Sequence, residues 1–330
     1  MTAPLRIAVV GAGAIGGWVA ALLTVAGHQV SAVARGRTLA ALNAHGLRLL
    51  DGDREVKAQI RATEDAAELG PQDIVVVAVK GPALIEASAS VAAMLSPGTA
   101  VVTMMNGVPW WFLSGALGEA PDQSIAAVDP DGTIARNIPS TSVVGCVVHA
   151  SCVTTEPGRI VHKMGDGLIL GEAAGGLSDR IPVLASVFAG AGFDVTVSER
   201  IQRDIWYKLW GNITMNPISA ITGATCDRIL DDDLVRGFVL GVMAESAEIG
   251  RRIGCPIAES GEDRNAVTRK LGAFKTSMLQ DVEADRPLEI DALLAAPREI
   301  AARLGVPTPN IDALLGLTRL FGRTRGLYPA

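Results

Sequence analysis

Short apolar runs and longer stretches of helical periodicity alternate along the first third of the chain. "RIAVV", Arg6 to Val10, reads as a strand, followed by a glycine turn, a helix from about Ile15 to Ala26 ended by Gly27, and a second strand from Gln29 to Ala34. This is a βαβ unit. "DIVVVAV", Asp73 to Val79, is continuous and β-branched, the pattern of a strand buried on both faces, and "GTAVVTMM", Gly98 to Met105, reads as its successor. Strands alternating with helices predict an α/β protein with a parallel, doubly wound sheet.

From Ser142 to about Ser198 the pattern turns strand-rich, and Glu156-Pro157-Gly158 between two apolar runs predicts a hairpin that extends the sheet. After "FDVTV", Phe193 to Val197, helical periodicity takes over, with long stretches around Ile205 to Met215, Leu234 to Ile253 and Asn265 to Val282. A chain of 330 residues exceeds what one compact core usually holds. The expected division is therefore a sheet-containing domain over 1–198 and an all-α domain over 199–330. Glu119 to Ser140 bears Pro, Asp and Gly with weak periodicity and reads as a long loop, with a functional lid and a surface insertion as its two readings.

Composition narrows the function classes. With 49% hydrophobic and 19% charged residues and a net charge of −6, the chain has the make-up of an ordered soluble protein without the basic excess that phosphate backbones attract, so no nucleic-acid partner is expected. Its apolar runs fall well short of the roughly 18 to 20 residues of a bilayer span, and the N-terminus enters a strand directly without a secretory pattern. No membrane association is expected, and the expected location is cytoplasmic. Four cysteines and four histidines show neither a disulfide framework nor metal-ligand spacing, so no metal is expected.

Gly11, Gly13 and Gly16 in "GAGAIGG" match G-x-G-x-x-G. The motif alone is weak, but here it follows a predicted strand and opens a helix. In that setting Gly11 makes the tight turn, Gly13 lets a pyrophosphate approach the backbone, and Gly16 allows close helix packing, so the turn Gly11, Gly13, Ala14, Ile15 and Gly16 is a dinucleotide-binding candidate. Where an NAD-binding fold offers an acid to the ribose 2′-hydroxyl, this chain has "AVARGR". A guanidinium such as Arg35 forms paired hydrogen bonds to a 2′-phosphate, which favours NADP(H), whereas simply solvated arginines would leave the cofactor open. Lys80 and Asn106 end two strands at the edge where doubly wound sheets bind ligands, though a strand-end lysine and an Asn-Gly turn also occur without function.

In "WYKLWGNITMNP", Lys208, Asn212 and Asn216 stand four residues apart and so on one helix face. Trp206, Leu209, Trp210 and Ile213 between them predict a helix packed on more than one side, and Pro217 predicts that it ends at Asn216. A surface lysine with two packing amides is the plain alternative.

Taken together, "GAGAIGG", "VKG" at Lys80, "NG" at Asn106, "KLWGNITMNP", "SMLQD" from Ser277, "EID" from Glu289 and "GVPTPN" from Gly305 resemble the ketopantoate reductase (2-dehydropantoate 2-reductase) family over nearly the whole chain. The resemblance implies an N-terminal Rossmann-type domain, a C-terminal all-α domain, and a cleft holding NADPH and a branched 2-keto acid, with ketopantoate reduction in pantothenate biosynthesis as the activity. By position, Lys208 resembles the family's catalytic lysine and Glu289 its active-site glutamate. Asn106, Asn212, Asn216 and Ser277 resemble its substrate- or cofactor-contacting polar residues, and Arg35 and Lys80 its 2′-phosphate pair. Hydride transfer to a ketone leaves alkoxide charge that an ammonium stabilises and protonates. Two features depart from the family: the longer stretch after Asn106 and the bulky Trp110-Trp111 pair, which either reshape the substrate pocket or pack the insertion. A related reductase of another 2-keto or β-hydroxy acid and a non-catalytic NADP(H) sensor remain alternatives. The apolar helical second half leaves room for a homodimer interface.

Overall fold

In a computed structural model that describes residues 3–115 and 123–329, the opening βαβ unit is β1 (Arg6–Val10), α1 (Ala14–Val25) and β2 (Gln29–Val33). β1 pairs in parallel with β2 on one side and with β6 (Ile74–Val77) on the other. Outside these lie β5 (Arg61–Thr63) against β2, β7 (Ala100–Thr103) against β6, and β8 (Val143–Glu156) against β7, all parallel. The winding direction therefore reverses at β1, and a doubly wound sheet binds ligands beyond the carboxyl ends of its strands at such a point. α2 (Gly36–His45) follows β2, α3 (Gly81–Ala92) follows β6, and α4 (Thr133–Asn137) and α5 (Arg180–Gly190) complete the helices of this part.

The sheet continues past the parallel region. β8 and β9 (Arg159–Glu172) form an antiparallel hairpin whose arms are 14 residues each. Its turn is the expected one, with Gly158 at a φ of 74°. β9 also pairs in parallel with β10 (Asp194–Val197) and with β3 (Leu47–Asp51), and β3 pairs antiparallel with β4 (Arg54–Ala58). α1 touches β1 and β2 but also β3, β4, β8 and β9, which come from the far end of the sheet. The mixed sheet therefore curls into a half-barrel around α1.

Side chains explain the fit. Trp18 of α1 stacks on His162 with ring centroids 5.3 Å apart and planes 4° apart, while Phe193 meets it edge-on at 4.8 Å. Gly17 leaves room for Ile160, whose Cδ1 would lie 2.6 Å from a Cβ on that glycine. The β3–β4 hairpin is not among the elements expected from the sequence, because its exposed positions are charged. Its signal was the buried alternation Leu47, Leu49 against Val56, Ala58 around Asp51-Gly52.

The chain divides into two compact units, one of residues 1–105 with 133–201 and one of 106–132 with 202–330. Among the described residues the second unit contains no strand. Its helices are α6 (Ile201–Thr222), α7 (Cys226–Asp231), α8 (Asp233–Arg252), α9 (Gly261–Arg269), α10 (Ser277–Glu283), α11 (Ala296–Leu304) and α12 (Pro309–Thr324), with a π-helical turn at Asp291–Ala295.

Two helix expectations need correction. α6 does not end at Asn216 but runs through Pro217 to Thr222. Proline forgoes one backbone bond, yet every residue from Ile213 to Ala220 is buried, and that packing outweighs the local preference. The single stretch expected over Asn265 to Val282 is instead two helices. Gly272 breaks it at a φ of 62°, and Thr276 starts α10 by accepting the Leu279 N–H at 3.2 Å.

Of the expected long loop, residues 119–122 lie outside the described residues. The remainder is not structureless: Ile125, Ile134 and Ile138 are buried, and 133–140 includes α4. The Glu299 carboxylate accepts the N–H groups of Ala126 and Ala127 at 2.9 and 2.7 Å, and Arg303 donates to the Ser124 carbonyl at 2.6 Å. Trp110 and Trp111 are buried, and the neighbouring Phe112 packs on Trp206 at 5.8 Å. This aromatic run is core of the helical unit.

Candidate functional site

The three glycines of the first turn have three different surroundings. Gly11 has a φ of 97°, and a Cβ there would lie 2.8 Å from backbone atoms of Ala78 and Val79. At Gly16 it would lie 2.1 Å from the Gly11 carbonyl oxygen and 3.0 Å from the Ala78 methyl. Both glycines let α1 start hard against the end of β6. At Gly13, which caps α1, a Cβ would meet nothing within 4 Å. The open position fronts the N-terminus of a twelve-residue helix, whose free N–H groups and positive dipole end favour a phosphate. A dinucleotide pyrophosphate fits this turn, with Ala14 and Ile15 in the first helical turn.

Arg35 and Lys80 both cap helices: Arg35 precedes α2 and Lys80 precedes α3. Arg35 is ion-paired with Glu86 of α3. Glu86 was not among the expected site residues, because the sequence separates it from Arg35 by 51 positions. Asn106 opens the segment that belongs to the helical unit. The glycine after it, Gly107, has a φ of 79°, and a Cβ there would lie 2.6 Å from the Ala292 backbone. Val108 donates its N–H to the Ala292 carbonyl at 2.8 Å. Asn106 is thus tied to the turn that follows Glu289.

α6 carries the densest set of expected residues. Its tryptophans fix it to α8: Nε1 of Trp206 donates to the Ser246 carbonyl at 3.1 Å and Nε1 of Trp210 to the Met243 carbonyl at 2.8 Å. From Leu209 to Ala220 every residue is buried except Asn212, which is half-buried, as is Lys208 one turn before it. Arg203 and Tyr207 before them are exposed, so the polar stripe Lys208–Asn212–Asn216 leads from the open N-terminal turns of the helix into its buried part. At its inner end Asn216, only 5% exposed, donates from Nδ2 to the Ser277 hydroxyl at 3.4 Å. Two expected residues 61 positions apart come together.

Glu289 is half-buried and stands immediately before the helical turn rather than on a helix surface. Leu288 before it and Ile290 after it are buried. The π-helical turn follows directly, a feature uncommon enough to mark functional sites. Among the described residues no His, Cys, Asp or Glu cluster is arranged to hold a metal, and no helix is long and apolar enough to cross a membrane.

A glycine turn at the first β–α junction of a doubly wound sheet, in a chain completed by an all-α unit, is the build of a pyridine-nucleotide oxidoreductase. The chain belongs to the ketopantoate reductase PanE/ApbA family: residues 7–175 match the family itself and residues 200–321 its C-terminal region. It is an oxidoreductase of the kind that acts on CH–OH groups. A 2-dehydropantoate 2-reductase of Mesorhizobium japonicum is 42% identical over 98% of this chain and all of the relative. A Ralstonia solanacearum MolK2 structure, provisionally assigned as a ketopantoate reductase, superimposes with a TM-score of 0.95 at 57% identity, over 99% of this chain and 100% of that one. The 2-dehydropantoate 2-reductase of Geobacter metallireducens GS-15 gives a TM-score of 0.83 at 28% identity, over 96% and 99% of the two chains.

Proposed function

We propose that the protein reduces 2-dehydropantoate to pantoate with NADPH, as a step in pantothenate biosynthesis in the cytoplasm. The observation that carries this reading is the α6 stripe, on which the half-buried Lys208 and Asn212 lead to the buried Asn216–Ser277 pair. NADPH, when bound, supplies the hydride. Lys208 stabilises the negative charge that develops on the carbonyl oxygen and delivers the proton that completes the alcohol. Asn212, Asn216 and Ser277 orient the carboxylate and hydroxyl of the substrate as neutral hydrogen-bonding groups. Glu289 anchors a substrate hydroxyl. The glycine turn takes the pyrophosphate, Arg35 and Lys80 take the 2′-phosphate, and Asn106 contacts the cofactor. Names shared by relatives across the whole length of the chain support the substrate.

Lys208→Ala tests the mechanism: turnover falls on the order of 10² to 10⁴ with NADPH still bound. Near-normal turnover rejects the role of the ammonium. A panel of 2-keto acids tests the substrate, and 2-dehydropantoate has to give the highest kcat/KM.

A further inference from the structure

Glu289 sits between two sets of ties, neither of which involves its own side chain. On one side Leu288 donates its N–H to the Leu327 carbonyl at 3.0 Å, and Leu327 donates to the Gly322 carbonyl of α12 at 2.8 Å. The Tyr328 hydroxyl donates to Oδ1 of Asp291 at 2.5 Å. Gly322 permits this approach, since a Cβ there would lie 2.8 Å from the Tyr328 Cβ and 3.3 Å from Cδ1 of Ile290. On the other side the Ala292 carbonyl accepts the Val108 N–H at 2.8 Å. Residues 288, 290, 291 and 292 are therefore each fixed from outside the segment, with Glu289 among them.

The Tyr328 ring is held independently of its hydroxyl. It packs on Gly322, and Arg323 lies over its face at 5.9 Å. Burial, then the bond to Asp291, push the phenol above its ordinary pKa, so it remains a donor at neutral pH. The hydroxyl, which also meets Arg319, donates to the first residue of the π-helical turn, two positions from Glu289.

We propose that Tyr328 is a positioning residue for Glu289, acting through Asp291 and the π-helical turn to set affinity for the keto acid without touching it. The inference rests on the reading of Glu289 as a substrate anchor.

The test is a cycle of Tyr328→Phe, Glu289→Gln and the double variant in the full chain, with kcat and KM for 2-dehydropantoate measured at saturating NADPH. Tyr328→Phe is expected to raise KM on the order of ten-fold, as misplacement of a binding group does. The Kd for NADPH stays unchanged, and the substitution adds nothing further in the Glu289→Gln background. Asp291→Asn, which keeps an acceptor, retains most of the affinity, whereas Asp291→Ala matches Tyr328→Phe. Additive effects, or a normal KM in Tyr328→Phe beside a raised one in Glu289→Gln, overturn the positioning role alone. A normal KM in Glu289→Gln overturns the anchor reading and this inference with it.

Discussion

Arg35 at the start of α2 is ion-paired with Glu86 on α3, and both side chains are substantially exposed, at 48% and 69%. Such a pair adds little to stability. If Arg35 takes the 2′-phosphate as proposed, its weight lies in competition, because the carboxylate occupies the guanidinium that the phosphate would need and repels that phosphate itself. Glu86→Gln is expected to lower KM for NADPH by about three- to ten-fold at low salt, an effect that shrinks as salt rises, and to leave KM for NADH unchanged. Arg35→Ala has the opposite effect on NADPH. Steady-state kinetics with both cofactors at two ionic strengths checks this.

The glycine turn separates binding from folding. A side chain at Gly13 enters open space, so Gly13→Val is expected to keep the wild-type Tm while NADPH binding weakens by about ten-fold or more, since the added bulk would stand in the proposed pyrophosphate site. Gly16→Ala drives a methyl to within 2.1 Å of a backbone oxygen, and a loss of about 1–3 kcal/mol or more follows from overpacking. Thermal melts with cofactor titrations distinguish the two.

His162 makes stability depend on pH in a defined direction. Nδ1 faces Asp51 at 2.7 Å and Nε2 faces the Gly165 carbonyl at 2.6 Å, so both nitrogens face acceptors and the ring suits the doubly protonated form. Burial opposes that charge, but the bonds to Asp51 and Gly165 and the charges of Asp51 and Asp166 outweigh it and raise the pKa above 6.5. A raised folded value means that the stabilisation is complete below about pH 6.5 and is lost as pH climbs through the folded pKa. Tm is expected to fall over that interval, and His162→Gln removes the dependence there.

Glu299 holds the segment after residue 123. Replacing it with Ala leaves two backbone N–H groups without their acceptor, and a loss of about 1–3 kcal/mol is expected. Hydrogen exchange at Ala126 and Ala127 accelerates, while exchange in the half-barrel does not.

What could be read from the sequence was what neighbours along the chain decide. β1, α1 and β2 were legible because short apolar runs bounded by glycines have few alternatives, and Lys208, Asn212 and Asn216 because four-residue spacing on one helix needs no tertiary knowledge. β3 and β4 were not, since a hairpin with charged exposed positions looks like loop unless the Asp51-Gly52 turn is weighed. The helix end at Asn216 failed because burial overruled proline. The tie between Tyr328 and Asp291 spans 37 positions, and no local pattern announces it.

Because residues 106–132 belong with the helical unit, the polypeptide enters that unit, leaves it and returns. A gene fragment starting at residue 199 would therefore encode a bundle lacking the Phe112 partner of Trp206, the Val108 donor to Ala292 and the strap that Glu299 grips. Expressed alone, such a fragment should be insoluble or molten, and a synthetic peptide covering the missing stretch is the reagent to rescue it. The halves of this protein are spliced rather than concatenated, and recombination between relatives has to respect both joints at once.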